Sequence, residues 1–324
     1  MRRLVLIDGH AIIHRAYHAY PALTTPSGEP SQAAYGFVAI LLRVTNELQP
    51  SHLIVCFDLP VATFRHEAYI AYQAHRPTTA PDLVNQIEMV KEVVEVSGIP
   101  VYTAAGFEAD DVIGTLAKQA VKSEQVNGAS EGLDEVVIVT GDRDIMQLVN
   151  DKKGVSVYAP INGMSNARLV HENEVKEYVG VTPDKIVDYK ALIGDSSDNY
   201  PGVPGIGPKA AQNLLEKFGS LEEIYRKLEE GKGKLDSVAE SVTAKLLAGK
   251  DSAFLSQHLA RIATHAPVGL DLERAEIKDL SKNKHFLQKL KELGFKSLVV
   301  RIGGMVSEAK PKKEKKENNQ MELL

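Results

Sequence analysis

Nine carboxylates stand where chemistry would need them. Asp8 closes the apolar run Leu4–Ile7, and Asp58 follows Leu53–Phe57. Glu108, Asp110 and Asp111 (GFEADD) follow the β-rich stretch Ile99–Thr103, and Asp142 and Asp144 (TGDRD) follow Val136–Thr140. Short apolar runs of this kind suit buried parallel strands. In an open parallel sheet the C-terminal strand ends share one edge, and ligands bind there. Seven acids from four run-ends would then converge on one crevice, with Asp195 and Asp198 (GDSSDN) joining from a turn-rich segment. Crowded carboxylates repel unless a cation compensates. An all-oxygen donor set favours Mg2+ or Mn2+ over zinc. Paired ions of that type activate water and stabilise a leaving oxygen in phosphodiester hydrolysis. Taken singly, Asp111 suits a helix N-cap and Asp195 and Asp198 suit turn positions. The recurrence of acids at four run-ends is what argues for a shared site. A phosphatase with Asp8 as nucleophile is a rival chemistry, but it wants a second Asp two residues on, where this chain has His10.

A second constellation is PGVPGIGPKAAQNLL, Pro201 to Leu215. Gly202, Gly205 and Gly207 permit tight turns and close backbone approach. Pro208 has the fixed φ favoured in a first helical turn, and Lys209 sits beside it. Exposed amides at a helix N-terminus plus one cation make an anion site. Such a site grips a nucleic-acid backbone without reading bases. The bland alternative for the string is an ordinary interhelical turn.

The elements that would position these groups alternate over the first ~160 residues. Apolar periodicity predicts helices over Ala33–Leu48, Asp82–Val96 and Asp111–Val121, set between the four runs. Strands alternating with helices predict an α/β fold with a doubly wound, mostly parallel sheet. After ~185 the strand signals fade. Helices are predicted over Lys209–Phe218, Leu221–Leu228, Glu240–Leu247 and Lys284–Leu293, with a loop at Glu229–Leu235. The chain of 324 residues thus divides into an α/β core (1–185), a helical region (186–303) and a disordered tail (304–324). One cysteine, Cys56, excludes an intrachain disulfide framework and fits a reducing compartment. The N-terminal apolar run is too short for a signal peptide or a membrane span, so a cytoplasmic setting without membrane contact is expected. The net charge of −5 speaks against a nucleic-acid partner only if metal ions are ignored.

The strings LIDGH, TTPSGEPSQAAYGF, FDLPVATFRHEAYIAY, GFEADDVIGTLA, VTGDRDIMQLV and ALIGDSSDNYPGVPGIGPKAAQNLL together resemble the 5′-nuclease (flap endonuclease-like) family. The branch they resemble is the 5′→3′ exonuclease domain of bacterial DNA polymerase I, over about residues 2 to 302. The resemblance implies a PIN-like core and a helix–hairpin–helix-type DNA-binding motif. It implies two divalent cations, Mg2+ or Mn2+. Asp8, Asp58, Glu108, Asp110 and Asp111 would serve the first, and Asp142, Asp144, Asp195 and Asp198 the second. It implies that hairpin carbonyls near Val203 and Ile206 hold K+ against a DNA phosphate, with Gly202, Gly205, Gly207 and Lys209 completing the grip. Arg15, Arg65 and Arg76 match basic positions that steer phosphate, Tyr72 matches an aromatic that stacks on a base, and residues 68–98 match an arch above the site.

Two departures stand out. The family reads Tyr-Lys-x-x-Arg where this chain reads Tyr72-Gln73-Ala74-His75-Arg76, so Gln73 replaces a cation that would stabilise developing charge. Loss of such a donor costs about 10²–10³ in rate unless a neighbour such as His75 or Arg76 replaces it. His14 stands where a Tyr is usual. The implied activity is metal-dependent cleavage of DNA at a 5′ flap, nick or RNA primer, in Okazaki-fragment processing and repair near the nucleoid. A junction-binding module without catalysis and a PIN-type ribonuclease are the alternatives. Gln320–Leu324 resembles a peptide that docks on the replicative sliding clamp. Relatives of this kind continue into further domains, so the chain reads either as a standalone nuclease or as part of a longer protein.

Overall fold

The structure, a computed structural model, describes residues 1–76, 78–126, 133–160 and 166–308. Six strands form one sheet: β1 (Arg3–Asp8), β2 (His52–Cys56), β3 (Val101–Tyr102), β4 (Glu135–Val139), β5 (Val155–Pro160) and β6 (Ala167–Val170). Their order is β3-β2-β1-β4-β5-β6, and every pairing is parallel except β5 with β6. β1, β2 and β4 are buried on both faces, which is why they read as continuous apolar runs.

Strand residues alternate between two layers, as a period of two requires. Val5, Ile7, Leu53, Val55, Val137 and Val139 face a core built from α1 (Gly9–Ala19), α2 (Gln32–Leu48) and, beyond the short α3 (Phe64–Ala68), α4 (Pro81–Ser97). Leu4, Leu6, Ile54, Val136 and Ile138 face the other core, under α5 (Ala109–Val126). That second core continues past α6 (Glu172–Val179) into α7 (Ile186–Ile193), α8 (Pro208–Phe218), α9 (Leu221–Glu230), α10 (Glu240–Ala248) and α11 (Lys250–Ala260).

After α12 (Leu272–Ala275) the chain returns to the first layer. Ile277 N–H donates to the Ser51 carbonyl at 3.0 Å. Phe286 and Leu290 of α13 (Lys284–Glu292) and Leu298 and Ile302 of α14 (Lys296–Glu308) then pack with α2 and α4. The chain's end thus packs onto the core begun at its start.

Three expectations change. β5 and β6 join the sheet although only four strands were legible. The arch expected over 68–98 ends before α4, whose Leu83, Val90, Val93 and Val94 are buried core. Helix α14 takes in residues 304–308, which the sequence assigned to the tail. The rest of that tail and the Gln320–Leu324 peptide lie outside the described residues.

Candidate active site

The C-terminal edge of the sheet carries the acids, and local hydrogen bonds tie the strand ends together. Asp8 ends β1 and caps α1, its Oδ1 accepting from the Ala11 N–H at 3.0 Å. Its Oδ2 accepts from Thr140 Oγ1 at 2.8 Å, and the same hydroxyl accepts from the Asp142 N–H at 3.0 Å. Thr140 thus joins the ends of β1 and β4. Asp58 Oδ1 accepts from the Ala109 N–H at 2.7 Å, which sets the start of α5 and the acids on it. The Asp144 N–H donates to Asp142 Oδ1 at 2.8 Å.

Loop residues 195–200 close the other side. Asp144, Asp195 and Asp198 each present a carboxylate oxygen, and the three oxygens lie within 4.8 Å of one another. Asp8, Asp58, Glu108, Asp110, Asp142, Asp144 and Asp198 line one open crevice of about 550 Å³, with His10, Gln73 and Arg76 on its walls.

Electrostatics describe a site short of positive charge. Burial, then neighbouring Asp58 and Asp142, push the Asp8 carboxyl up to about 6. Burial and Asp142 push Asp144 up to about 6 even though Lys190 opposes the shift. Burial pushes Glu108 up to about 7 against the pull of Arg65. Asp110, desolvated and facing Asp142, Asp8 and Asp58, is raised well above the usual range. Asp195 goes the other way, because Lys190 and Ser197 outweigh its burial. Carboxylates raised by burial and by crowding with one another are a donor set for a hard divalent cation. The residues present fit that group.

Other expected site residues are placed differently. Asp111, expected among the metal acids, has both carboxylate oxygens engaged by protein groups. It is fully buried, its Oδ2 accepts from Arg65 Nη1 (2.7 Å) and the Glu108 N–H (3.0 Å), and its Oδ1 accepts from Arg65 Nη2 (2.9 Å) and the Ala263 N–H (2.7 Å). Arg65, expected to steer phosphate, is turned inward onto Asp111. Only 3 % exposed, it spends its remaining donors on the Leu259 and Arg261 carbonyls. The pair pins residues 259–263 beneath Glu108, which Arg65 Nη1 approaches at 3.3 Å. Tyr72 is also 3 % exposed, with its ring edge-on to His66 and its hydroxyl donating to Glu108 Oε2 at 3.3 Å, so as placed it offers no face to a base.

Gln73 and Arg76 do reach the crevice. Gln73 Nε2 lies 3.2 Å and Arg76 Nη2 2.6 Å from Asp198 Oδ1. The Gln73 N–H donates to the Asp198 carbonyl (2.9 Å), and Asn199 Nδ2 donates to the Ala71 carbonyl (2.6 Å), so the turn over 69–76 is latched to the acidic loop. Arg15 extends to within 3.5 Å of where a Cβ on Gly141 would lie, and it makes no ion pair among the described residues.

The hairpin forms between α7 and α8. Gly202 and Gly205 adopt φ of +60° and +82°. A Cβ on Gly202 would lie 2.2 Å from the Gly194 nitrogen, so glycine is required there. Val203 and Ile206 are buried anchors, while Gly205, Gly207 and Lys209 are exposed at the α8 N-terminus.

Two lysines escaped sequence reasoning. Lys190 of α7 pairs with Asp144 at 2.7 Å and with Asp195, offsetting part of the crevice charge. Lys245 of α10 donates to the Gly205 carbonyl at 3.0 Å and brings a cation to the hairpin turn. A lone lysine inside a helical pattern gives no signal; both depend on how α7 and α10 pack.

A mostly parallel sheet with a many-carboxylate crevice at its C-terminal edge and a glycine hairpin beside it belongs to the nuclease class of folds. Profiles for "5'-3' exonuclease, N-terminal resolvase-like domain" and "5'-3' exonuclease, C-terminal SAM fold" match residues 3–180 and 181–283. The chain belongs to this 5′-3′ exonuclease family. It is 40% identical over 301 residues to DNA polymerase I of Caldicellulosiruptor bescii, covering 93% of this chain and 33% of that protein. It is 41% identical over 315 residues to the thermostable DNA polymerase I of Thermus filiformis, covering 97% and 34%. The chain thus spans about a third of the length of the curated relatives it matches.

Among solved structures, the fold is shared with the bacteriophage T5 D15 flap endonuclease in a complex with DNA and metal ions (TM-score 0.64, 18% identity, 94% of this chain and 98% of that one). It is shared also with the catalytic core of Rad2 in complex with DNA substrate (TM-score 0.54, 15% identity, 93% and 92%). No helix among the described residues is long and apolar enough to cross a membrane.

Proposed function

We propose that this chain is a divalent-metal-dependent, structure-specific 5′→3′ exonuclease and 5′-flap endonuclease. It acts on DNA at flaps, nicks and RNA primers during Okazaki-fragment processing and repair. The observation that carries the reading is the convergence of Asp144, Asp195 and Asp198 oxygens within 4.8 Å, on the same crevice as Asp8, Asp58, Asp110 and Asp142.

Asp8, Asp58, Glu108 and Asp110 would hold one divalent cation, and Asp142, Asp144, Asp195 and Asp198 a second. Such a pair, Mg2+ or Mn2+, supplies water activation and stabilisation of the leaving oxygen when bound. The chain's own groups do the rest. Gly205, Gly207 and Lys209 present amides and a cation to a duplex phosphate. Lys245 adds charge at the Gly205 carbonyl, and a K+ ion near the Val203 and Ile206 carbonyls would add more. Arg15 and Arg76 orient the phosphates nearer the crevice, Arg76 supplying the charge that Gln73 lacks. Lys190 lowers the cost of gathering the second set of acids. The reaction belongs in the cytoplasm near the nucleoid, and the Gln320–Leu324 peptide would tether the enzyme to a sliding clamp.

The test is cleavage of a 5′-flap DNA with Mg2+, with Asp142→Ala as control. The expected result is metal-dependent release of the flap by the wild type alone. Binding without cleavage above the control would replace this reading with a junction-binding module.

A further inference from the structure

Four aromatic rings form a ladder that runs past the wall of the crevice. The Phe64 ring of α3 lies 5.9 Å from Phe107, centre to centre. His258 of α11 stands edge-on to Phe64 at 5.7 Å, and His265 edge-on to Phe107 at 5.6 Å. Phe107 lines the crevice beside Glu108. The fold fixes the ladder from below. The Phe64 N–H donates to the Gly106 carbonyl at 3.1 Å, and the Arg65 guanidinium sits 4.5 Å from the centre of the Phe64 ring. The Arg65–Asp111 pair pins the segment that joins the two histidines. The ladder's outer surface is nonetheless open: Phe64 and Phe107 are half-buried, and both histidines are exposed. Ring surface grouped beside a charged crevice and left in water points to a ligand with rings of its own. Cations accompany it. Arg261 is exposed in the segment joining the histidines, and exposed Lys118 of α5 donates to Thr264 Oγ1 at 2.8 Å, one residue before His265.

We propose that the His258–Phe64–Phe107–His265 ladder is a stacking platform for the unpaired bases of the displaced 5′ strand. This rests on reading the crevice as a flap-DNA site, and it adds where the flap lies. Bases in a duplex are paired and stacked on one another, so only an unpaired strand can offer base faces to protein rings. Phe107 and Glu108 are neighbours on the crevice wall, so a single strand leaving the acids meets the ladder next. Aromatic rings, histidine included, accept any base because every base has a π-face, and Arg261 and Lys118 supply charge for the backbone between them. The four rings come from three distant stretches of the chain, so no contiguous motif announces them.

The experiment measures binding by fluorescence anisotropy in EDTA to three DNAs: a nicked duplex without a flap, the same duplex with a 5′ flap of about six thymidines, and one whose flap is about six abasic residues. The wild type should bind the thymidine flap at least about fivefold more tightly than the abasic flap. The double variant His258→Ala/His265→Ala, changed only at exposed positions, should lose most of that preference and bind the flapless duplex like the wild type. A wild type indifferent to the bases overturns the proposal whatever the variant does. A variant that keeps the full preference overturns it too, and so does one that weakens equally on the flapless duplex, since the rings would then serve the duplex. Cleavage in Mg2+ separates this proposal from the reading beneath it. If the wild type cuts the flap without any preference for bases, only the platform fails. If it prefers the thymidine flap but cuts nothing, the nuclease reading fails and the platform stands. If it binds none of the three DNAs, both fail.

Discussion

The acidic crevice is made of side chains, and the glycine hairpin is made of backbone. The crevice gathers carboxylates from residues 8 to 198, and burial, together with the charge of neighbouring acids, raises several of them above the usual carboxylate range. The hairpin is contiguous over residues 202–207, and its polar surface is peptide dipole plus Lys209 and Lys245. One region is strained electrostatically until a cation arrives. The other is satisfied as it stands. Substitutions should therefore separate the two: crevice changes trade stability against metal binding, and changes at the exposed hairpin lysine Lys209 alter DNA affinity alone.

The largest expected effect is at Asp110. Asp110→Asn removes a carboxyl whose ionisation burial and the neighbouring acids oppose, so the melting temperature in EDTA rises while flap cleavage falls about 10²–10³-fold. A variant that melted lower in EDTA would break the picture of a strained crevice.

The pH dependence follows from the same acids. Asp8, Asp144 and Glu108 titrate at about 6, 6 and 7 in the fold, above the ordinary carboxylate value of about 4. Between those values the metal-free fold binds more protons than the unfolded chain, so its stability falls as pH rises from about 4 to 7. Melting in EDTA should drop by a few degrees from pH 5 to 7.5, and Mn2+ affinity should climb over the same window. A melting temperature that climbs over that range in EDTA would contradict the assignment.

A smaller effect is expected at the latch. Gln73→Lys places a cation 3.2 Å or so from Asp198 Oδ1, where Arg76 already sits, and should raise the single-turnover rate about tenfold. An unchanged or lower rate removes the idea that the glutamine is a catalytic loss.

The smallest is at the hairpin. Lys209→Ala should weaken flap-DNA binding a few-fold for every sequence and lower the salt slope by about one, with Mn2+ affinity untouched. Coupled loss of Mn2+ affinity would join the two regions that the structure keeps apart.

Much of this was legible because acids mark strand ends and glycines mark the turn. Helix α8 begins at Pro208 and α2 ends at Leu48, each at a signal visible in the chain. What could not be read depends on distant partners. β6 is four residues long, carries Arg168 and lies antiparallel at an edge, so no apolar run announces it. Arg65 and Asp111 read as a phosphate contact and a ligand because they match positions of the family pattern. Only the fold shows that they neutralise each other. Lys190, in a mostly buried helix, gives no hint that it faces Asp144.

The Arg65–Asp111 pair also bears on how the molecule assembles. Three of its other bonds go to backbone groups at residues 259, 261 and 263, far downstream of the segment that carries the sheet. A chain made from its N-terminus must therefore carry two nascent polar groups, half satisfied, through most of its synthesis. The support that this pair gives beneath Glu108 is complete only once residues 259–263 are in place.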